Sequence, residues 1–232
     1  MFSVALLSIL GAHEMAHKLT ADRNRVEATY PYFIPGIPPM PTFGAVIQQK
    51  SLPPNRDALF DLGLSGPLIG FIVTIAVTII GVQLSTLVST APAGSEYVPT
   101  PLLFMLIETL FPPSGQGPVL SAHPVAFAGF IGMVVTMLNI IPVGQLDGGH
   151  VAYVLLKNEW RRILGFVALI ALLFISVPMA VLAFLISRVP HPPPLDDVSE
   201  LSRGRKLATV LLGVIFVLSV VPIFSILELL PL

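Results

Sequence analysis

The sequence predicts an all-α polytopic membrane protein with about five transmembrane helices and a short strand or hairpin in the loop after the first helix. Of the 232 residues, 54% are hydrophobic and 11% are charged, and the mean hydropathy is +0.88. Soluble domains carry about 25% charged residues, so this composition is typical of a chain embedded in a bilayer. Five apolar runs approach the length of roughly 20 residues that spans a bilayer core, at about residues 1–19, 62–84, 122–142, 163–187 and 207–230.

Charge and cysteine content exclude several classes of protein. The net charge is −1 and the twelve basic residues are scattered along the chain, so no basic stripe for nucleic acid is present. The chain contains no cysteine, which excludes disulfide frameworks, cysteine-ligated zinc and thiol nucleophiles.

The first apolar run ends in GAHEMAHKLT, residues 11–20, where ionisable side chains stand in place of apolar ones. His13 and His17 are four residues apart, so on a helix both project from one face and can bind one metal ion. Glu14 lies beside them, close enough to act on a water at the metal but too far round the helix to be an obvious third ligand. This is the H-E-x-x-H pattern of zinc proteases, and ionisable residues within a membrane are usually functional.

The loop 20–61 is too rich in proline for helix, and TFGAVIQQ within it, residues 42–49, predicts a short strand.

The second and third runs carry features that favour close packing. Small residues in 62–70 and 126–132 suit close contact between helices. We expect Gly66 and Pro67 to let the second span approach the site. The loop 85–121 contains no lysine or arginine and predicts an interfacial helix at PLLFMLIETLF.

Basic residues orient the spans. The loops 20–61 and 148–162 are basic and are therefore predicted to be cytoplasmic, whereas the loop 85–121 lies on the other side. The Pro-rich connector 188–206 carries four basic residues, although a simple count of five spans places it outside. Either charges late in the chain permit this, or residues 163–187, interrupted by Pro178, do not cross.

A third metal ligand is predicted from NIIPVGQLDGGH, residues 139–150, at the end of the third run. Asp147 is an acid beside a helix break rich in proline and glycine, and alone it would be read as an Asp-Gly turn. The first and third spans run in the same direction, however, because one span lies between them. His13, His17 and Asp147 therefore lie near the carboxyl ends of their spans at similar depth, as three ligands of one metal must.

Together, GAHEMAH and NIIPVGQLDGG resemble the site-2 protease family of intramembrane zinc metalloproteases, whose second motif is N-x-x-P-x-x-x-L-D-G. The residues that fit this second motif without a gap are Asn139, Pro142, Leu146, Asp147 and Gly148. PYFIPGIPPMPTFGAV and NRDALFDLGLSGPLIGF resemble the PDZ-less branch of archaea, bacteria and plant chloroplasts. The resemblance covers about residues 11–155, and the last two spans match loosely. Family members usually carry at least one span before the H-E-x-x-H helix, and residues 1–232 contain none.

The resemblance and the motifs together imply a Zn²⁺ site with His13, His17 and Asp147 as ligands. Glu14 is expected to be the general base. Asn139 is expected to be catalytic, by hydrogen bonding to the substrate backbone or to the developing oxyanion, with capping of the broken helix as the alternative.

Three further histidines are expected to lie outside the site. His150 follows the L-D-G motif and is expected to be a surface residue rather than a support for a metal ligand. His123 and His191 lie beside prolines in loops and are expected to be solvated.

The predicted function is that of an intramembrane zinc metalloendopeptidase that hydrolyses peptide bonds of transmembrane substrate segments. Its partners would be single-span helices of membrane proteins and the lipid bilayer. We predict a catalytic membrane core at 1–155, followed at 156–232 by two membrane helices joined by the Pro-rich connector. The protein is expected in a prokaryotic cell membrane or, in a plant, in a chloroplast membrane.

Two alternatives use the same histidines and aspartate. A metal-ion transporter would need ligands along a path through several spans, whereas the second, fourth and fifth runs contain no ionisable residue in their cores. A non-catalytic membrane binding protein would be expected to lack Glu14 or a ligand, and all are present.

Overall fold

The structure is a computed structural model that describes residues 1–35, 42–91, 94, 98–175, 177–188 and 191–220. Its elements in chain order are α1 (Phe2–Arg23), β1 (Tyr32–Pro35), β2 (Thr42–Val46), α2 (Arg56–Gln83), β3 (Thr86–Val88), α3 (Leu102–Leu110), β4 (Ser114–Gly115), β5 (Val119–Ser121), α4 (Pro124–Ile140), α5 (Asp147–Leu155), α6 (Asn158–Ile175), α7 (Val177–Ser187) and α8 (Arg203–Ser219).

The central element is α2, which contacts α1, α3, α4, α5 and α8. Its first turn is capped by Asn55, whose side chain accepts a hydrogen bond from the Ala58 N–H at 2.9 Å. Within the described residues, α2 is the one helix that is both long and apolar enough to cross a bilayer, and α4 is apolar but has 17 residues. The mostly helical fold is confirmed, and the count of about five spans stays a prediction.

Small residues bring α2 and α4 close together. A Cβ at Gly132 would lie 2.7 Å from Thr74 Oγ1, and a Cβ at Gly129 would overlap Thr78 Oγ1. Both threonines are buried, and their hydroxyls donate within α2, to the carbonyls of Gly70 at 2.8 Å and Thr74 at 2.7 Å. The predicted close contact at 126–132 is therefore confirmed, with the polar hydroxyls satisfied inside their own helix.

The strand predicted after the first helix is present. β2 pairs antiparallel with β1, with Phe33 opposite Ala45, and residues 36–41 between the two strands lie outside the described residues. The pairing continues beyond the strands, where the Thr29 N–H donates to the Gln48 carbonyl at 3.0 Å.

A second sheet, which the sequence did not predict, lies in the loop 85–121. β3 pairs parallel with β4 and antiparallel with β5. The all-α prediction is wrong here because strands of two or three residues are too short to show a hydrophobic period. The interfacial helix predicted in the same loop is present as α3. This sheet lies at the end of α2. Its edge strand β5 precedes α4, and between them the His123 N–H donates to Ser85 Oγ at 2.9 Å.

The connector after α7 lies beside the start of α2. The Leu195 N–H donates to the Pro53 carbonyl at 2.9 Å, and the Asp196 N–H donates to the Pro54 carbonyl at 3.0 Å. The helix that follows is held at the same place, since Arg205 of α8 pairs with carboxylates of the first turns of α2. We call this end of the molecule, where α1 and α4 end and α2 and α8 begin, the ligand end.

Both ends of the α6–α7 pair also lie at the ligand end. Asn158 and Arg161 near the start of α6 line one cavity of about 530 Å³ together with Ser187 at the end of α7 and His191. Both ends of this pair of helices therefore lie close together, and the number of spans stays a prediction. Of the two alternatives that the basic connector left open, the structure favours the one in which this segment does not cross.

A buried apolar cluster joins the start of α2 to α5 and α8, and we call it the α2–α5–α8 cluster. Its buried members are Leu59, Phe60, Val151, Val154, Leu201 and Leu212. The division into 1–155 and 156–232 stays a prediction, and this cluster contains residues from both sides of it.

Candidate metal centre

The two histidines of α1 face each other across one turn of helix. His13 Nε2 and His17 Nε2 are 3.1 Å apart, and the side chains are 5% and 16% exposed. The spacing of four residues therefore places both imidazoles on one face, as predicted.

Asp147, the first residue of α5, completes this cluster. Its Oδ2 lies 3.2 Å from His13 Nε2, and its Oδ1 lies 3.2 Å from His17 Nε2. The carboxylate thus faces both imidazoles at once, and its side chain is 12% exposed. The structure brings together the three residues that the sequence proposed as ligands.

The chain break before α5 turns Asp147 towards α1. α4 ends at Ile140, and Gly144 in the break has a φ of 53°, in the left-handed region that glycine adopts without strain. A Cβ at Gly148 would overlap the Ile140 carbonyl oxygen. Glycine at 148 therefore lets α5 begin directly against the end of α4.

One face of α2 leaves room for both imidazoles and for the main chain at Asp147. A Cβ at Gly66 would overlap His17 Nε2 and lie 2.7 Å from His13 Nε2, and a Cβ at Gly70 would lie 3.0 Å from His13 Nδ1. A Cβ at Gly63 would lie 2.6 Å from the Asp147 carbonyl oxygen. We call these three residues the glycine face. The packing role predicted for Gly66 is confirmed, and the spacing of three and four residues is the signal that could have identified the other two.

A main-chain carbonyl orients His17. Its Nδ1 lies 2.9 Å from the Leu62 carbonyl oxygen, and because a carbonyl only accepts, Nδ1–H is the donor. Nε2 of the neutral ring then presents its lone pair to His13 and Asp147. Such a support is typical of metal-binding histidines. Sequence reasoning missed Leu62, since a main-chain acceptor does not depend on the side chain.

The three residues fit a zinc-type metal ion. Their ligand atoms all lie within 4.8 Å of one another. A tetrahedral ion with bonds of about 2.0–2.1 Å separates its ligands by about 3.3–3.4 Å. The two Nε2 atoms are 3.1 Å apart, and each lies 3.2 Å from a different carboxylate oxygen of Asp147. Three protein ligands leave a fourth position for water or substrate. Among the described residues, this is the one group of three or more histidine, aspartate or glutamate side chains that could hold a metal.

The two residues predicted to be catalytic lie beside this group. Glu14 follows His13 on α1, is half-buried and does not belong to the ligand group. Asn139, in the last turn of α4, has its Nδ2 at 3.3 Å from His13 Nε2. The structure therefore places an amide against His13, and Glu14 follows His13 on the same helix.

The remaining histidines, expected at the surface or in solvent, are half-buried and have hydrogen-bond partners. His150 Nδ1 and His191 Nε2 are 2.6 Å apart, and the Tyr153 ring stacks on His191 with ring centroids 4.6 Å apart. Burial, and then the neighbouring His150, lower the pKa of His191 to about 4, so the ring is neutral near pH 7. His123 is half-buried and caps α4, because its Nδ1 accepts from the Val125 N–H at 3.2 Å.

A cavity of about 800 Å³ lies beside the site at the ligand end. Residues 47–52 line one side, and Gln145, His150 and Pro192 line another. Gln145 is two residues before Asp147. The cavity therefore borders the first turn of α5, the helix that begins with Asp147.

A site of two histidines and one aspartate, with a glutamate adjacent on the same helix, defines the class of metal-dependent hydrolases. Comparison with known proteins specifies the family. Residues 1–183 match the profile of Peptidase family M50, and the chain therefore belongs to this family. The resemblance to site-2 proteases seen in the sequence is thereby confirmed.

Curated relatives agree with this assignment. The chain is 30% identical over 235 residues to the probable zinc metalloprotease EGY1, chloroplastic, of Arabidopsis thaliana, covering 95% of this chain and 42% of the relative. It is 30% identical over 240 residues to the protein of the same name in Oryza sativa subsp. japonica, covering 95% and 40%. Identity is 26% over 239 residues to the probable zinc metallopeptidase EGY3, chloroplastic, of Arabidopsis thaliana, covering 93% and 41%.

The chain thus spans about two fifths of the length of these curated relatives. No solved structure matches it.

The glycine face predicts that Gly66→Ala weakens metal binding. The added methyl group would overlap His17 Nε2, so we expect zinc affinity to fall by at least about ten-fold, as when a metal ligand loses its support. Zinc content after dialysis against a weak chelator measures this. Gly213→Ala in α8, where a Cβ meets nothing within 4 Å, is the control and should bind like the unaltered chain. Equal zinc content in both variants would contradict the account of this face.

Proposed function

We propose that this chain is the catalytic membrane part of an intramembrane zinc metalloendopeptidase that cleaves transmembrane segments of other proteins. The observation that carries the proposal is the convergence of His13, His17 and Asp147, with Glu14 adjacent on α1. The two Nε2 atoms are 3.1 Å apart, and each lies 3.2 Å from one carboxylate oxygen of Asp147. Membership of Peptidase family M50 and the names of the curated relatives, probable zinc metalloproteases, support it.

The chemistry follows from the residues at the site. His13, His17 and Asp147 would hold Zn²⁺, which supplies Lewis acidity that makes water acidic near neutral pH and polarises a carbonyl. Glu14 accepts the proton of the attacking water and returns it to the leaving amine. Asn139, with its amide 3.3 Å from His13 Nε2, donates a hydrogen bond to the substrate carbonyl oxygen as negative charge develops there.

Membrane-embedded helices are the substrate class that fits this site. α2, which is apolar enough to cross a bilayer, forms one wall of the site through the glycine face. A substrate helix buries its peptide bonds in its own hydrogen bonds, so it must unwind before cleavage. The cavity at the ligand end gives room for an unwound segment and for water. We place the protein as a multi-pass protein in a prokaryotic cell membrane or a chloroplast membrane, and the relatives named above are chloroplastic.

The transporter alternative finds less support. A transporter needs successive sites along a path, yet α2 from residue 62 to 83 contains no ionisable side chain. Its buried polar residues Thr74 and Thr78 donate to their own helix and offer no free hydroxyl proton to a path. The described part of the chain holds a single candidate metal group. A non-catalytic binding protein would not need a general base, yet Glu14 is present beside His13.

The proposed topology places the whole ligand end on the cytoplasmic side of the membrane. The basic loops 20–61 and 148–162 and the connector 188–206 then share one side, because α6–α7 returns to the end from which it leaves. This removes the conflict with the positive-inside rule that a five-span count creates.

Single cysteines test this topology without background, since the chain has none. Cysteines at the exposed positions Gln49, Asn158 and Val198 should all react with a membrane-impermeant thiol reagent from the cytoplasmic side, because they lie at the ligand end. A cysteine at exposed Ser114, in the sheet at the other end, should react from the opposite side alone. Labelling of position 198 together with position 114 would show that α6–α7 crosses and would overturn this topology.

Substitution of the general base separates catalysis from metal binding. Glu14→Gln should retain about one zinc per chain, since Glu14 is not a ligand, while cleavage of a helical membrane peptide in vesicles falls by about 10²–10⁴-fold. Asp147→Ala should lose both zinc and cleavage, because it removes one of three ligands. Zinc content and peptide cleavage are measured on the same preparations.

Glu108→Gln, the same change in α3 away from the metal group, is the control and should leave zinc content and cleavage unchanged. Loss of zinc in Glu14→Gln would make Glu14 a ligand and contradict its assigned role. Full activity of Asp147→Ala would contradict the metal centre itself. Equal cleavage of a soluble unfolded protein would contradict the assignment of membrane helices as substrates.

A further inference from the structure

We propose that Arg205 of α8 is a positioning residue for the metal centre, acting through Asp61 and the Leu62 carbonyl on His17. The inference rests on the proposed function, in which His17 binds zinc. It assigns a role in the site to α8, which lies beyond the residues 1–183 that match the family.

Arg205 fastens the start of α8 to two successive turns of α2. Its Nε donates to Asp61 Oδ1 at 2.7 Å and its Nη2 to Asp61 Oδ2 at 2.6 Å, so one carboxylate is held at both oxygens. Its Nη1 donates to Asp57 Oδ2 at 2.7 Å, and the Ser202 N–H donates to Asp57 Oδ1 at 3.0 Å. Bidentate contacts of a planar guanidinium define orientation as well as distance.

The held carboxylate is one residue from a group that orients a metal ligand. Asp61 is followed directly by Leu62, whose carbonyl accepts the hydrogen bond from His17 Nδ1–H at 2.9 Å. A rotation or shift of this turn of α2 therefore moves the acceptor on which the ring orientation of His17 depends. It also moves the glycine face, since Gly63 follows Leu62 in the same turn.

Packing beneath the ion pairs makes this connection rigid. Leu201, next to the start of α8, belongs to the α2–α5–α8 cluster together with Phe60, which is fully buried. α5 enters the same cluster and begins with Asp147, and Arg56 Nη2 donates to the Val154 carbonyl of α5. The turn of α2 that orients His17 and the helix α5 that carries Asp147 thus pack in one apolar cluster. Arg205 fixes the position of α8 in this cluster relative to α2.

Stability alone does not account for this arrangement. The side chains of Arg205, Asp57 and Asp61 are 32%, 31% and 29% exposed, and ion pairs that are partly solvated contribute little to the free energy of unfolding. The bidentate geometry next to the histidine support favours orientation as its role. The test must therefore measure metal affinity and ligand geometry rather than the free energy of unfolding.

The experiment compares Arg205→Gln and Arg205→Lys with Lys206→Gln in the full chain. Lys206 follows Arg205 and pairs with Glu200 at 3.3 Å, with side chains 51% and 90% exposed. Within the described residues this pair does not involve α2, so Lys206 is the matched control. Zinc affinity is measured by competition with a chelator, and the cobalt-substituted protein gives a visible spectrum that reports ligand geometry. His17→Ala marks the complete loss of the ligand.

We expect Arg205→Gln to lower zinc affinity by about ten-fold, the lower limit for loss of an outer support of a metal ligand, and to change the cobalt spectrum. Arg205→Lys should fall between Gln and the unaltered chain, because an ammonium group reaches one carboxylate oxygen rather than two. Asp61→Asn should act like Arg205→Gln, and the double variant should lose no more than either, as expected for one shared interaction. Asp57→Asn should have a smaller effect, since Asp57 is a turn away from Leu62.

The results separate the possible failures. Unchanged zinc affinity and cobalt spectrum in Arg205→Gln would overturn the inference while leaving the proposed function intact. Equal losses in Arg205→Gln and Lys206→Gln would also overturn it, because they would reflect charge alone. An unaltered chain that binds no more zinc than His17→Ala would contradict the proposed function and the inference together. If Arg205→Gln does not fold, Arg205→Lys and Asp61→Asn decide the question by the same measurements.

Discussion

The close approach of α2 to the histidine face of α1 is the constraint on which the rest of the structure depends. Two imidazoles and the main chain at Asp147 occupy space where side chains of a helix packed alongside would otherwise lie. Glycine at 63, 66 and 70 leaves that space free. The same approach brings the Leu62 carbonyl within 2.9 Å of His17 Nδ1, so it provides both the room for the ligands and their orientation. Close packing through small residues, known from membrane helices, here shapes a reactive site.

The second constraint is the break between α4 and α5. A continuous helix would carry Asp147 past the site, whereas the break lets α5 begin beside the end of α4 with its first residue facing both histidines. The connector and α8 then cover α5 at the ligand end, through His150 and His191 and through the α2–α5–α8 cluster. The connector and α8, which follow the residues 1–183 matched by the family profile, therefore pack against the helices that carry the site.

The sequence alone predicted the three residues that the structure brings together, but not the groups that support them. His13, His17 and Asp147 could be found because spacing on a helix and the direction of spans are properties of residue order. The Leu62 carbonyl could not, since every residue has a carbonyl and only the fold selects one. Hydropathy reports how much of a segment is apolar but not its path, so the proximity of Ser187 to Asn158 and Arg161 required the structure.

X-ray absorption at the zinc K-edge of the zinc-loaded chain tests the central claim most directly, because it counts and identifies the atoms bound to the metal. The account predicts two imidazole nitrogens, one carboxylate oxygen and one further light atom at about 2.0–2.1 Å. In Asp147→Ala the carboxylate contribution should disappear while imidazole scattering remains in whatever zinc is still bound. A spectrum of the unaltered chain without paired imidazole scattering, or with a shell of six water-like oxygens, would contradict the metal centre described by His13, His17 and Asp147.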